Sequence, residues 1–196
     1  MSLVAPQTEW TSSEKRFSIA DVAMLPTELP SGTVDYELDN GRLVTMVPPV
    51  DMHGAVQATI VTELVLQGQR RGHGVARSEV GIILWRNPDR LVGADAAFIL
   101  NESLPLRHSP EGYLETIPEL VVEVQSKNDS TVQVQHKVDD YLAAGVQMVL
   151  VIDPATKKVT AFDRSSDRRI FAESDTLSLE GILPQFRCAV AELFRE

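Results

Sequence analysis

The spacing of apolar residues along the chain predicts a mixture of helices and strands. Apolar residues at every second position are typical of strands, and those at intervals of three and four are typical of amphipathic helices. By these patterns we predict helices within residues 18–25, 53–72 and 130–145. We predict strands within residues 34–47, 75–85, 90–100, 119–125, 147–153 and 157–172, and a strand or short turn followed by a helical turn within 183–194.

Turn and capping residues support these boundaries. Asn40 and Gly41 are a strong signal for a two-residue hairpin turn, because both central positions of a type I′ turn need a positive φ. Ser130 and Gln133 form a capping-box pattern at the start of the third helix, and Gly145 ends that helix. The order of the elements predicts an α/β or α+β fold, a mixed sheet flanked by helices.

Length and composition suit one globular domain. The chain has 196 residues with 43% hydrophobic content and no repeat, so we expect a flexible N-terminus at residues 1–15 and a single domain at 16–196. The single cysteine, Cys188, fits a reducing compartment. We see no signal-peptide pattern and no apolar stretch of the roughly 20 residues that a membrane helix needs. We therefore expect a cytoplasmic protein without membrane contact.

The net charge of −10 argues against wholesale, non-specific binding of nucleic acid, which depends on Lys and Arg neutralising phosphates. The net charge does not exclude a local basic patch, whose best candidates are Arg70, Arg71, His73 and Arg77. The plainer interpretation of these residues is a solvated helix end, where the helix dipole favours cations.

Three charged residues occupy positions that the patterns predict to be buried. Glu123 lies within the apolar run LVVEV, Asp95 lies inside the strand GADAAFIL, and Lys137 falls on the inward stripe of the third helix. Burying an ionised carboxylate is costly unless a partner is present. Two interpretations stay open. One is a buried ion pair that gives specific packing. The other is a Mg²⁺-dependent phosphodiesterase centre, with carboxylates for the cation and a lysine for the attacking water or the phosphate charge.

Other polar residues near these segments are weaker candidates. Glu37 lies on the hairpin face opposite the apolar residues, and Glu79 lies in a strand, where a solvent-facing position is the simpler interpretation. His53 begins the inward face of the second helix, either as a satisfied core or capping histidine or as a substrate contact. The sequence contains no phosphate-binding glycine loop and no Cys/His cluster with zinc spacing.

These segments together resemble the Uma2-like family, also called DUF820, of the PD-(D/E)XK nuclease-like superfamily. The resemblance spans most of the chain and rests on YELDNGRLV, GADAAFI, PELVVEVQSKND, KVDDYLAAGVQMVLVIDP and the terminal AELF. It implies a restriction-endonuclease-like fold. It also implies an endonuclease that hydrolyses phosphodiester bonds in DNA with Mg²⁺ or Mn²⁺, and that acts as a homodimer.

The resemblance implies a role for each matching residue. Asp95 corresponds to the Asp of the PD element and Glu123 to the acidic residue of (D/E)XK, and both would bind the metal. Gln125 occupies the place of the lysine, and Lys137 is similar to the lysine that has migrated to the adjoining helix. Glu37 corresponds to the acidic position of the YEL element and would contact the metal or a water.

The chain departs from the family pattern in two places. Ala94 replaces the Pro before the Asp, and SKND replaces SPS, which brings in Lys127 as a competitor of Lys137. Gln125 cannot supply a positive charge, so the alternative is a catalytically inactive module that acts in dimerisation or partner binding. This alternative predicts that Asp95→Ala leaves Lys137 buried and unpaired. A hydrolase of RNA or small nucleotides is a third interpretation.

Overall fold

The computed structural model describes residues 15–30, 32–46, 50–127, 129–164 and 168–195. Outside these residues lie the predicted flexible N-terminus apart from Lys15, Asn128 of the SKND segment, and residues 165–167 of the predicted 157–172 segment. The helices are α1 (Ile19–Ala23), α2 (Asp51–Gln67) and α3 (Thr131–Ala144), with short 3₁₀ helices at Gln69–Arg71, Asn101–Ser103 and Val190–Phe194. The strands are β1 (Glu28–Leu29), β2 (Gly32–Thr33), β3 (Asp35–Asp39), β4 (Arg42–Met46), β5 (Gly74–Trp85), β6 (Arg90–Leu100), β7 (Leu120–Val124), β8 (Met148–Asp153), β9 (Lys158–Asp163), β10 (Arg168–Phe171), β11 (Thr176–Leu179) and β12 (Leu183–Ala189).

Eight of these strands form one mixed sheet. Its order is β10-β9-β8-β7-β6-β3-β4. Strand β5 also pairs with β6, so β6 has three strand neighbours: β3, β5 and β7. Strands β7 and β8 are parallel and are connected by α3, whereas the other pairs in this sheet are antiparallel. The predicted mixed sheet flanked by helices is therefore confirmed.

The side-chain alternation in β7 divides the core into two layers. Leu120, Val122 and Val124 pack with α2 and the C-terminal segment on one face of the sheet. Val121 packs with α3 on the other face. Because successive strand residues point to opposite faces, Glu123 shares the α3 face with Val121. Helices α2 and α3 thus reach the same strand from opposite sides.

The local signals in the sequence are confirmed. Asn40 and Gly41 have φ values of 52° and 83° and form the turn between β3 and β4. The Ser130 hydroxyl accepts from the Gln133 N–H, and the Gln133 side chain accepts from the Ser130 N–H, which caps α3. None of the described helices has the length and apolar character that crossing a membrane requires.

The sheet forks along one edge of β6. Strand β5 pairs with β6 along the whole length of one edge. On the other edge, β6 pairs with β3 at Leu91 and with β7 from Ala96 to Phe98. Between these two contacts, residues 92–95 have a strand neighbour only on the β5 side, within the described part of the chain. Side chains from β3, β7 and both long helices enter this fork.

Candidate active site

Two charged side chains take the place of the missing strand at Gly93. The Gly93 N–H donates to Glu37 Oε1 at 3.0 Å, and the Lys137 ammonium donates to the Gly93 oxygen at 3.5 Å. Main-chain groups inside a protein need partners, and here charged groups supply them. The fork therefore fixes the positions of Glu37 from β3 and Lys137 from α3.

Lys137 lies between two carboxylates. Its Nζ is 2.8 Å from Glu37 Oε1 and 3.3 Å from Glu123 Oε2, and the side chain is 20% exposed. Burial disfavours the charged ammonium, but the charges of Glu123 and Glu37 outweigh this effect and raise the pKa of Lys137. The predicted inward position of Lys137 is correct, and the lysine is charged at neutral pH.

Glu123 lies near the end of β7, has a side chain that is 15% exposed, and meets two donors. Its Oε1 accepts from the Tyr141 hydroxyl at 2.6 Å, while Oε2 faces Lys137. Burial raises its pKa from 4.5 to about 7. Lys137 and the Tyr141 hydroxyl oppose this rise, and the negative charges of Asp95 and Glu37 add to it. Burial is thus the largest cause of the rise, ahead of the charges of the neighbouring residues.

Asp95 lies next to Glu123 but has different partners. Its Oδ2 accepts from the Val124 N–H at 2.6 Å and is 3.4 Å from His53 Nε2. Continuing the β6–β7 register by one step places Asp95 opposite Glu123. Since Lys137 pairs with Glu37 and Glu123, the prediction that Asp95→Ala would leave it unpaired is wrong.

His53 and Gln57 approach Asp95 from α2. Both are buried, and the Gln57 amide donates to Glu79 Oε1 and to the Asp95 main-chain oxygen. The hydrogen bond to Asp95 raises the pKa of His53 against the effect of burial, and the charges of Asp95 and Glu79 add to the rise. His53 Nδ1 is buried and has no hydrogen-bond partner among the described residues. The predicted inward position of His53 is correct, and its contact with substrate stays a prediction.

Glu79 differs from the plain strand residue that the sequence predicted. It is exposed, as expected, but it has a left-handed φ of 47° and accepts from Gln57. No local pattern predicts this conformation, because strand residues are normally extended.

Arg90 and Asp140 form a buried pair that the sequence patterns did not predict. Arg90 is 2% exposed and donates from Nε to Asp140 Oδ2 at 2.7 Å and from Nη1 to the Leu38 oxygen at 3.0 Å. Its Nη1 is also 4.0 Å from Glu37 Oε2. Asp140 immediately precedes Tyr141, which lies four residues after Lys137 on the same face of α3, and this position was the one available signal for the burial of Asp140.

A second acidic group also lies outside the sequence predictions. Ligand atoms of Asp39, His136 and Asp140 lie within 4.8 Å of one another. Asp140 already accepts from Arg90, so a fixed positive charge stands at this group and disfavours a cation there.

The other predicted residues lie after β7 or between the end of α2 and the first residues of β5. Gln125 follows β7, is half-buried, and donates its N–H to the Ile152 oxygen at 2.8 Å. Lys127 is exposed in the loop after β7. Among the four basic-patch candidates, Arg70, Arg71 and His73 are exposed and Arg77 is half-buried. Their roles stay predictions.

The fold is that of a class of nuclease-like proteins. A solved structure described as a putative nuclease belonging to DUF820, from Anabaena variabilis, matches with a TM-score of 0.72 and 18% identity over 89% of this chain and 96% of that one. At this identity the likeness concerns the fold. The family model for Uma2, described as "Putative restriction endonuclease", matches residues 24–191, and the chain belongs to this family. No curated protein matches the chain.

Proposed function

We propose that the protein is a metal-dependent endonuclease that hydrolyses phosphodiester bonds in DNA. The observation that carries this proposal is the convergence of Asp95, Glu123 and Lys137 at the fork of the sheet. Two adjacent carboxylates and one ammonium are the groups that phosphodiester hydrolysis with a divalent cation requires. The family membership of the chain supports the same reaction.

The donor set suits a hard divalent cation such as Mg²⁺ or Mn²⁺. Asp95 and Glu123 offer carboxylate oxygens, and the carbonyl of residue 124 or 125 would complete the protein ligands. Burial is the main cause of the raised pKa of Glu123, and a cation at this carboxylate would offset the cost of burying its charge. When bound, such a cation supplies Lewis acidity: it lowers the pKa of a water and stabilises charge on the phosphate.

The residues of the chain itself would orient the reactants. Glu37 holds Lys137 at 2.8 Å, so that the ammonium can stabilise the attacking water or the phosphate charge. Tyr141 fixes the orientation of Glu123 through its hydroxyl. Gln125 would assist by orienting the water, and His53 would contact the substrate next to Asp95. The half-buried amide of Gln125 contributes no charge to this task.

We infer that the protein acts in the cytoplasm as a homodimer. The free, buried thiol of Cys188 suits a reducing compartment. Two active sites suit the cleavage of two DNA strands.

Cleavage of supercoiled plasmid DNA tests the proposed function. We expect the wild type to nick or linearise the plasmid with Mn²⁺ or Mg²⁺ and not with EDTA. Asp95→Asn and Glu123→Gln should lose at least about 100-fold in rate while remaining folded, because each removes a charge at the reacting centre. The matched control is Glu115→Gln, which removes a surface carboxylate paired with Arg86 and should cleave as the wild type does. Equal cleavage by all four proteins would refute the assignment.

One observation favours the inactive module as a second candidate. The charge of Lys137 is met by Glu37 and Glu123, and Tyr141 also satisfies Glu123, so this network closes without a cation. A buried network of this kind can serve specificity of packing alone. This candidate predicts no cleavage of DNA by the wild type in the plasmid assay with any divalent cation.

A further inference from the structure

Glu79 has a left-handed backbone conformation at the point where the side-chain alternation of β5 reverses, since Ala76 packs on the α2 face and Ile82 packs on the α3 face. Its φ is 47°, yet its neighbours keep the regular register with β6, as Ser78 pairs with Ala96 and Val80 with Ala94. A residue with a Cβ is strained in the left-handed region, and such strain persists where the surroundings impose it. The register also places Glu79 across from Asp95.

Gln57 connects Glu79 to Asp95. One amide nitrogen, Nε2, donates both to Glu79 Oε1 and to the main-chain oxygen of Asp95, the latter at 3.0 Å. His53 lies one helical turn before Gln57 and contacts the Asp95 carboxylate at 3.4 Å. Helix α2 therefore holds the main chain of Asp95 through Gln57 and the carboxylate of Asp95 through His53. Glu79 orients the Gln57 amide that binds this main chain.

We propose that Glu79 is a positioning residue for Asp95 and acts through Gln57. In this conformation the Glu79 carboxylate lies against the buried Gln57 amide. With its amide held, Gln57 fixes the main chain of Asp95, and the Asp95 carboxylate keeps its place beside Val124 and Glu123. This inference rests on the proposed function, since it assigns Glu79 to the cation centre that contains Asp95.

Substitutions at Glu79 separate positioning from fold stability. Glu79→Gly relieves the left-handed strain and removes the acceptor. We expect its melting temperature in EDTA to equal or exceed that of the wild type, while the Kd for Mn²⁺ rises by about 10- to 100-fold. Glu79→Gln keeps an oxygen that can accept from Gln57, so its Kd should stay within about threefold of the wild type. The affinity is measured from the EPR signal of free Mn²⁺.

Two controls accompany these variants. Lys157→Gly relieves another left-handed residue, with a φ of 53°, in the turn between β8 and β9, and should leave Mn²⁺ affinity unchanged. Gln57→Leu removes the amide and should weaken Mn²⁺ binding as much as Glu79→Gly does. The double variant should be no worse than either single variant, because both residues act through one contact.

The outcomes distinguish this inference from the proposed function. If Glu79→Gly binds Mn²⁺ as the wild type does while Asp95→Asn loses binding, the positioning role is overturned and the cation centre stands. If Glu79→Gln is as weak as Glu79→Gly, the hydrogen-bond role is overturned. If Asp95→Asn itself binds as the wild type does, the cation centre fails, and the role of Glu79 fails with it.

Discussion

The pH dependence of stability tests the burial of Glu123. Burial is the main reason that the pKa of Glu123 rises from 4.5 to about 7. The folded protein therefore holds this proton more tightly than the unfolded chain does. The contribution of Glu123 to the free energy of unfolding is fully present below pH 4.5 and is lost as the pH rises through 7. The difference between 4.5 and about 7 corresponds to about 3 kcal/mol, since one pKa unit equals about 1.4 kcal/mol.

The comparison with Glu123→Gln isolates this contribution, because the amide does not titrate. Urea denaturation of both proteins in EDTA at several values between pH 4.5 and 8 gives the two free energies of unfolding. We expect the wild type to lose about 3 kcal/mol relative to Glu123→Gln across this range. A constant difference between the two proteins would show that Glu123 is not desolvated in the folded state, and would refute the reasoning.

Three other perturbations test the surrounding structure by urea denaturation. Tyr141→Phe removes a donor to Glu123, so we expect the free energy of unfolding to fall by about 1–2 kcal/mol at pH 8 and by less at pH 5, where Glu123 is protonated. Equal losses of this free energy at the two pH values would contradict the hydrogen bond to an ionised Glu123. Arg90→Met leaves Asp140 without its guanidinium partner and should cost about 3–5 kcal/mol, so an unchanged free energy of unfolding would disprove the buried pair. Ser130→Ala removes the side-chain cap of α3 and should lower the free energy of unfolding by about 1 kcal/mol without changing the affinity for Mn²⁺. A change in that affinity would mean that the start of α3 affects the cation centre.

Local rules explain which parts of the fold the sequence could predict. The turn at Asn40 and Gly41 and the cap at Ser130 depend on a few adjacent residues, and both were predicted correctly. The directions of Glu123 and Lys137 follow from strand alternation and helical periodicity, and these too were predicted.

The partners of the charged residues could not be predicted from the same rules. Glu37 meets Lys137 because the sheet forks at β6, and nothing in the local pattern encodes that fork. Arg90 and Asp140 are 50 residues apart and meet only once α3 packs on the sheet. For the same reason the inactive-module alternative paired Lys137 with Asp95, whereas in the structure Lys137 pairs with Glu37 and Glu123, and Asp95 lies beside His53.

Calorimetric titration with Mn²⁺ at pH 7 tests most directly whether Asp95 and Glu123 form a cation centre. The wild type and Asp95→Asn are each titrated in two buffers that differ in ionisation enthalpy, so that proton release is measured together with binding. With the pKa of Glu123 at about 7, a cation at this carboxylate should displace its proton. We predict one saturable site with net proton release in the wild type, and the loss of that site in Asp95→Asn. Equal, weak binding to both proteins without proton release would contradict the cation centre and favour the ion-paired, inactive module.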